Sequence, residues 1–189
     1  MIDDIGIDDE FVKLQIWDFG GQEIMHSMHR FFLTERTLYV IVVNARDNTQ
    51  DERTQYWLNN IKSFANGCPV IIVLNKMDQN PSATLNERLL KNDYPQIADV
   101  IKLSALKDSK DYFQRLLNKI LKLVRTFDSY AMDFPVSWNQ IKMTLTKMKE
   151  NYIVDPVYRE ICIKNNVQDE QIQEWLLDWF HDLGISFNY

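Results

Sequence analysis

A basic surplus is missing from this sequence. Its 189 residues carry 21 Lys and Arg against 27 Asp and Glu, a formal net charge of -6. Domains that bind nucleic acid ordinarily present a basic face, so the deficit argues against DNA or RNA as partner. Long hydrophobic runs are missing too: nothing approaches the roughly 20 apolar residues of a membrane-spanning helix. The first ten residues are acidic, which fits neither a signal peptide nor a transit peptide. Cysteine is nearly absent. Cys68 and Cys162 stand far apart, whereas zinc requires clustered ligands and a disulfide framework requires an oxidising compartment. Two reduced, buried thiols in a cytoplasmic protein are the expectation. Internal repeats and low-complexity tracts are also lacking. What remains is ordinary: 46% hydrophobic and 25% charged residues, the composition of a chain that can build a sizeable core.

The hydrophobic pattern alternates between two periods. Residues 11–17, FVKLQIW, place Val12, Leu14 and Ile16 at every second position, the mark of a half-buried strand. The break DFGG follows, then a weakly patterned helix over 22–32. Residues 38–43, LYVIVV, and 70–74, VIIVL, are continuous apolar runs of the kind buried on both faces of a parallel sheet. Between them, 51–65 carries Tyr56, Trp57, Ile61 and Phe64 at helical spacing. A helix is expected over 82–93 with Ser82 as its cap, and a short strand over 100–103. The clearest helix carries Tyr112, Phe113, Leu116, Leu117, Ile120, Leu121 and Val124. Strands alternating with helices predict an α/β fold with an open, mostly parallel sheet, whose ligands sit at the carboxyl ends of the strands.

The texture changes near residue 127. Residues 128–135 read as a linker. Beyond it, Trp138, Ile141, Leu145 and Met148 mark a helix with Ser137 as candidate cap. A second helix over 155–164 has Pro156 in its first turn. A third over 169–181 is expected to bury Ile172, Trp175, Leu176 and Trp179, with Gly184 ending it and a strand beginning at 185–189. This small α-helical segment is near the lower size limit for independent folding.

Three constellations follow strands. The first is Trp17-Asp18-Phe19-Gly20-Gly21-Gln22-Glu23. A carboxylate at a strand end can hold Mg²⁺ through its water shell, a glycine lets a bare amide approach a terminal phosphate, and Gln22 can orient a water. A simple turn with a capping Asp accounts for DxGG equally well. The second is Asn75-Lys76-Met77-Asp78. Guanine offers N1–H and N2–H₂ on one edge, and the Asp78 carboxylate can accept both. The Lys76 stem can lie along the base, and Asn75 can tie the loop together. The third is Ser104-Ala105-Leu106-Lys107. The Ala105 amide can donate to guanine O6, and a site built on such pairings rejects adenine because wrong pairing leaves buried polar groups unsatisfied. In sequence order, each after a strand, the three point to a guanine-nucleotide site.

Together, DxxGQE, NKxD and SAL are similar to the third, fourth and fifth motifs of Ras-like small GTPases. Residues 17–32, WDFGGQEIMHSMHRFF, with His26 and His29, resemble more specifically the Roc (Ras of complex proteins) domain of Roco proteins, and the helical tail resembles the start of the COR domain that follows Roc. The resemblance implies a Ras-like P-loop NTPase fold over 1–127 and the N-terminal part of COR over 128–189. It implies GTP or GDP as ligand, Mg²⁺ as cofactor, and slow hydrolysis that switches a large multidomain signalling protein, in which leucine-rich repeats commonly precede Roc. By motif match, Asn75, Lys76 and Asp78 read guanine, supported by Ser104, Ala105 and Leu106. Asp18 serves Mg²⁺, Gly21 the γ-phosphate and Gln22 the nucleophilic water.

One departure is plain. GxxxxGK[ST], the phosphate loop, appears nowhere in the sequence, and no threonine-bearing first switch can be identified. Because backbone amides, a lysine and a Ser/Thr–Mg²⁺ contact supply phosphate binding in this design, the chain alone is expected to bind nucleotide weakly and to be inactive. The resemblance places the missing first strand between the strand ending at Trp17 and that of residues 38–43. Its absence exposes two sheet edges that seek partners, so self-association or protein partners are expected. The alternative reading is a pseudo-GTPase scaffold. His26 and His29 read as packing or surface residues, since no third ligand is near. A DNA-reading winged helix is disfavoured because the last helix carries Asp169, Glu170, Glu174, Asp178 and Asp182.

Overall fold

The computed structural model describes residues 2–7, 10–19, 33–46, 50–65, 67–107, 110–127, 130, 135–149, 152–182 and 185. The chain divides into two compact units, one of Glu23–Ala131 and one of Met1–Gln22 with Met132–Tyr189. It begins with an antiparallel hairpin of β1 (Ile2–Ile7) and β2 (Glu10–Gln15), in which Ile2 faces Gln15 and Ile7 faces Glu10. The strand expected over 11–17 therefore stops two residues early. β1 was hidden in the sequence by the pair Asp3-Asp4, which breaks the alternation of its isoleucines.

The α/β unit holds a parallel sheet in the order β3 (Tyr39–Asn44), β4 (Val70–Asn75), β5 (Ile97–Lys102). Three helices connect or follow these strands: α1 (Gln50–Phe64), α2 (Glu87–Asp93) and α3 (Lys110–Val124). β4 is the middle strand, and Val70 through Leu74 are all buried, as an unbroken apolar run demands. Its two faces serve two cores. Val70, Ile72 and Leu74 join Tyr39, Ile41 and Val43 of β3 beneath Leu58 and Ile61 of α1 and Leu90 of α2. Ile71 and Val73 join Ile101 and Leu103 beneath Leu116, Ile120 and Leu123 of α3. Each fully buried aliphatic side chain contributes about 1.5–3 kcal/mol, so this strand organises the unit.

Three expectations are corrected here. Of the stripe expected in α1, Ile61 is buried, but Phe64 is exposed and Tyr56 and Trp57 are half-buried; Thr54 and Leu58, with Ala65 just beyond the helix, complete the buried face. Small and aliphatic side chains let the helix approach the sheet closely. The helix expected from 82 begins only at Glu87, where Asn86 Oδ1 accepts from the Leu89 amide at 3.2 Å. The preceding stretch instead buries Ala83 and Leu85 at alternate positions. Finally, among the described residues β3 is an edge strand covered on one face. Val40 and Val42 point to the other, and Val42 is 64% exposed.

In the second unit, α4 (Val136–Lys147), α5 (Asp155–Lys164) and α6 (Glu170–Asp182) enclose Ile141, Tyr158, Cys162, Leu176, Trp179 and Phe180. Pro156 lies in the first turn of α5, as expected. Ser137 does not cap α4: Pro135 holds that position without a side-chain bond. α6 is capped by Asp169 Oδ1, which accepts from the amides of Gln171 at 2.8 Å and Ile172 at 3.0 Å. Leu176 and Trp179 are buried as expected, whereas Ile172 and Trp175 stay exposed. Trp175 instead bridges the rings of Trp138 and Trp179 at 5.3 and 5.0 Å. Ile185 donates to the Phe180 carbonyl at 2.8 Å, closing the end of α6. Gly184 and the strand expected beyond 185 lie outside the described residues. Both cysteines are buried, and neither forms a disulfide. No described helix is long and apolar enough to cross a membrane.

Candidate functional site

The parallel sheet brings two of the three constellations together. β4 ends at Asn75 and β5 at Lys102, so the loops that follow leave the same end of the sheet side by side. Backbone bonds fix the junction. Leu103 donates to the Leu74 carbonyl at 3.0 Å, and Met77 donates to the Leu103 carbonyl at 3.2 Å.

Asn75 holds the corner. Its Oδ1 accepts from the Lys76 amide at 2.7 Å and from the Ala105 amide at 3.0 Å, while its carbonyl accepts from Ala45 at 2.9 Å. Lys76 has φ +64°, a left-handed conformation that side chains other than glycine rarely adopt. The bond to Asn75 Oδ1 helps hold it there. The turn closes with Gln79 donating to the Lys76 carbonyl at 3.0 Å. Two side-chain bonds anchor it to the loop after β3: Asn80 Nδ2 to the Ala45 carbonyl at 2.9 Å, and Arg46 Nη1 to Gln79 Oε1 at 2.7 Å.

Asp78 is the charged centre. Its amide donates to Ser104 Oγ at 2.8 Å, and its carboxylate Oδ2 lies 3.2 Å from Lys107 Nζ. Burial pushes the Asp78 carboxyl up, but hydrogen bonds from Ser104 and Lys107 and the charge of Lys107 more than offset it, and the group is held below the usual carboxylate range. Ser104 is buried, and Leu106 is 91% exposed at the tip of its loop. The site thus places the Asp78 carboxylate and the Ala105 amide, far apart in sequence, on two neighbouring loops locked by Asn75 and Ser104.

Asn75, Lys76, Asp78, Ser104, Ala105 and Leu106 are all on these two loops. Asp18 belongs to the other compact unit and is exposed, and the rings of its sequence neighbours Trp17 and Phe19 lie 6.2 Å apart. Gly21 and Gln22 lie outside the described residues, as do Gly20, His26 and His29. Among the described residues no group of three His, Cys, Asp or Glu side chains forms a metal cluster. Sequence reasoning missed three participants. Lys107 was quoted in its motif without a role, although its charge three residues after Ser104 was the available signal. Arg46 and Asn80 gave no signal, because loop-to-loop anchoring has no fixed spacing.

The family model for Ras of Complex, Roc, domain of DAPkinase matches residues 2–78. A solved structure of Methanosarcina barkeri Roco2 RocCORdC bound to GDP superposes with a TM-score of 0.87 at 35% identity, covering all of this chain and 57% of that one. This is a Roc–COR chain of the Roco type. The Roc-COR-CHAT protease of Runella zeae is 29% identical over 175 residues, 85% of this chain and 18% of that protein. The probable serine/threonine-protein kinase pats1 of Dictyostelium discoideum is 28% identical over 151 residues, 77% of this chain and 5% of that protein. This Roc–COR chain thus spans less than a fifth of either of these two relatives. The Ras-like α/β fold read from the sequence is the fold of these relatives, and the two loops described above sit on it at the ends of β4 and β5.

Proposed function

We propose that this chain is the guanine-nucleotide-binding switch module of a Roco-like multidomain signalling protein, which binds GTP and hydrolyses it slowly in the complete protein. The observation that carries the reading is the pairing of the Asp78 and Ala105 loops through Asn75 Oδ1. The Asp78 carboxylate accepts the two donors on guanine's edge, the Ala105 amide turns from Asn75 Oδ1 to donate to its O6, and the Lys76 stem and exposed Leu106 flank its faces. Binding of GDP by the structurally similar Roco2 supports the same reading. A cytoplasmic site of action is consistent with the two buried thiols, neither in a disulfide.

The residues present fit the base better than they fit the phosphates. Asp18 is a lone exposed carboxylate, which suits Mg²⁺, since that ion takes one or two carboxylates and completes its shell with water and phosphate oxygens. Gly21 would serve the γ-phosphate and Gln22 the attacking water. The sequence contains no GxxxxGK[ST], so the chain alone binds nucleotide weakly and does not turn it over. Residues 1–127 act as the Roc segment and 128–189 as the beginning of COR.

The test is a titration with a fluorescent guanine nucleotide and Mg²⁺, with the adenine analogue as control. A guanine preference supports the reading, and affinity tighter than about 10 μM, roughly -7 kcal/mol, means that the base-reading loops largely suffice. Equal binding of both bases, or of neither at millimolar concentration, overturns it. A second reading, a pseudo-GTPase scaffold that engages protein partners, is favoured by one observation: β3 is an edge strand with Val42 64% exposed.

A further inference from the structure

Asp78 is already occupied. Lys107 Nζ lies 3.2 Å from its Oδ2, and the Lys107 side chain is 70% exposed whereas that of Asp78 is 15% exposed. The lysine therefore reaches out of solvent onto the most sheltered carboxylate of the site. Its own backbone is placed for this: the Lys107 amide donates to the Ser104 carbonyl at 2.9 Å, a tight turn that starts at the residue bonded to the Asp78 amide.

A carboxylate has two oxygens, and guanine's N1–H and N2–H₂ require both. An ammonium ion on one of them must leave or shift before the base edge can pair. The exchange is unequal for the two purines. Guanine replaces the lysine with two donors, whereas adenine supplies no such pair and leaves Asp78 either with its lysine or bare. We infer that Lys107 is a latch on the guanine-reading carboxylate, which lowers affinity for guanine in the empty site and swings into solvent when the base binds. The inference rests on the guanine reading given above and assigns it a regulating residue. An ion pair this open to water is weak, so the latch tunes affinity by up to roughly fivefold rather than blocking the site. Salt loosens such a pair.

The test uses a neutral probe, guanosine, so that attraction between Lys107 and phosphate plays no part. Amide shifts of Ala105, Leu106 and Lys107 are followed by NMR in the full chain during guanosine titration, with adenosine as control. Three proteins are compared: wild type, Lys107→Gln and Lys107→Arg. Gln removes the charge, and Arg strengthens the pair through its forked donors. The latch predicts binding about two- to fivefold tighter in Lys107→Gln and weaker in Lys107→Arg. It also predicts that raising salt from about 0.05 to 0.5 M tightens guanosine binding to wild type and not to Lys107→Gln. Equal midpoints in all three proteins overturn the latch and leave the guanine reading standing. Absence of shifts in all three, or equal shifts with adenosine, overturns the guanine reading and the latch together.

Discussion

Asn75 and Ala105 are 30 residues apart in sequence and joined by a single 3.0 Å bond from the Ala105 amide to Asn75 Oδ1. The same oxygen takes the Lys76 amide at 2.7 Å. One side chain thus aligns the amide of one loop with the left-handed turn of the other, and the placement of Asp78 depends on both.

Replacing Asn75 with Ala strips two amides of their acceptor. Both are near the surface, where water can substitute in part, so the expected loss of stability is modest, about 1 kcal/mol. The loss of base selectivity should be larger, because the two loops no longer hold a common register. Urea melts give the first quantity, and competition between guanine and adenine nucleotides gives the second. A variant that keeps full guanine preference removes Asn75 from the site.

The Asp78 carboxyl supplies a pH signature. Its folded-state pKa lies below its ordinary value of 3.8. A depressed carboxyl contributes stability that is present above the unfolded value and lost as pH falls through the folded one. Guanine binding should follow the same course: unchanged from pH 7 to 5, and lost once the carboxyl protonates below 4. Lys107→Gln should move the NMR-observed titration of Asp78 upward. An unmoved titration means the ion pair does not form in solution.

Lys76 has φ +64° and sits between Asn75 and Asp78. Glycine adopts this conformation freely but costs entropy in the unfolded chain, and the two effects are each of order 1 kcal/mol. Lys76→Gly should therefore leave stability within about 0.5–1 kcal/mol of wild type while removing the stem proposed to cover the base. Weaker guanine binding at unchanged melting temperature is the expected pair of results. Unchanged binding would show that the stem does not touch the base.

Much of this architecture was legible in the sequence. VIIVL could only be a doubly buried strand, and β4 is one. The motifs after it and after the strand at 100–103 land on adjacent loops because parallel strands present their carboxyl ends to one side. Other features were illegible for physical reasons. The aromatic stripe of residues 51–65 carried the larger hydrophobic signal, but close packing on the sheet favours Thr54, Leu58, Ile61 and Ala65. Asn86, not Ser82, caps the helix, because Ala83 and Leu85 are buried ahead of it and the chain turns back at Asn80–Ala83 and Leu85–Glu87 before the helix starts. The latch on Asp78 pairs residues from two loops, a proximity that no local pattern encodes.

In the helical unit, Gln173 is a buried polar hub. Its Nε2 donates to the Val167 carbonyl at 2.8 Å, its Oε1 accepts from Arg159 Nη1 at 3.2 Å, and its backbone carbonyl accepts the Tyr158 hydroxyl at 2.7 Å. Arg159 also reaches Asp155 and Glu174. Gln173→Ala leaves the Val167 carbonyl without this partner in an apolar surrounding, at about 1–3 kcal/mol. Tyr158→Phe should cost less, about 1 kcal/mol, since the hydroxyl's bonds to the Gln173 carbonyl and to Cys162 are lost but the ring still packs. Calorimetric melts of both variants rank the two. Equal or reversed effects would mean that the Tyr158 hydroxyl, not the Gln173 amide, organises this core.

The exposed flank of β3 gives the last expectation. An edge strand carries backbone donors and acceptors without a neighbouring strand on one side, and here Val40 and Val42 add apolar surface beside them. Association through this edge should show in light scattering as a mass that rises with protein concentration. Val42→Lys places a charge on the outward face without touching the core lined by Ile41 and Val43, so it should restore the one-chain mass and leave the melting temperature nearly unchanged. Were Val42→Lys to associate as wild type does, the contact would lie elsewhere. A wild-type mass of one chain at high concentration would remove the self-association expected from the open edge, and with it the main structural support for the scaffold reading.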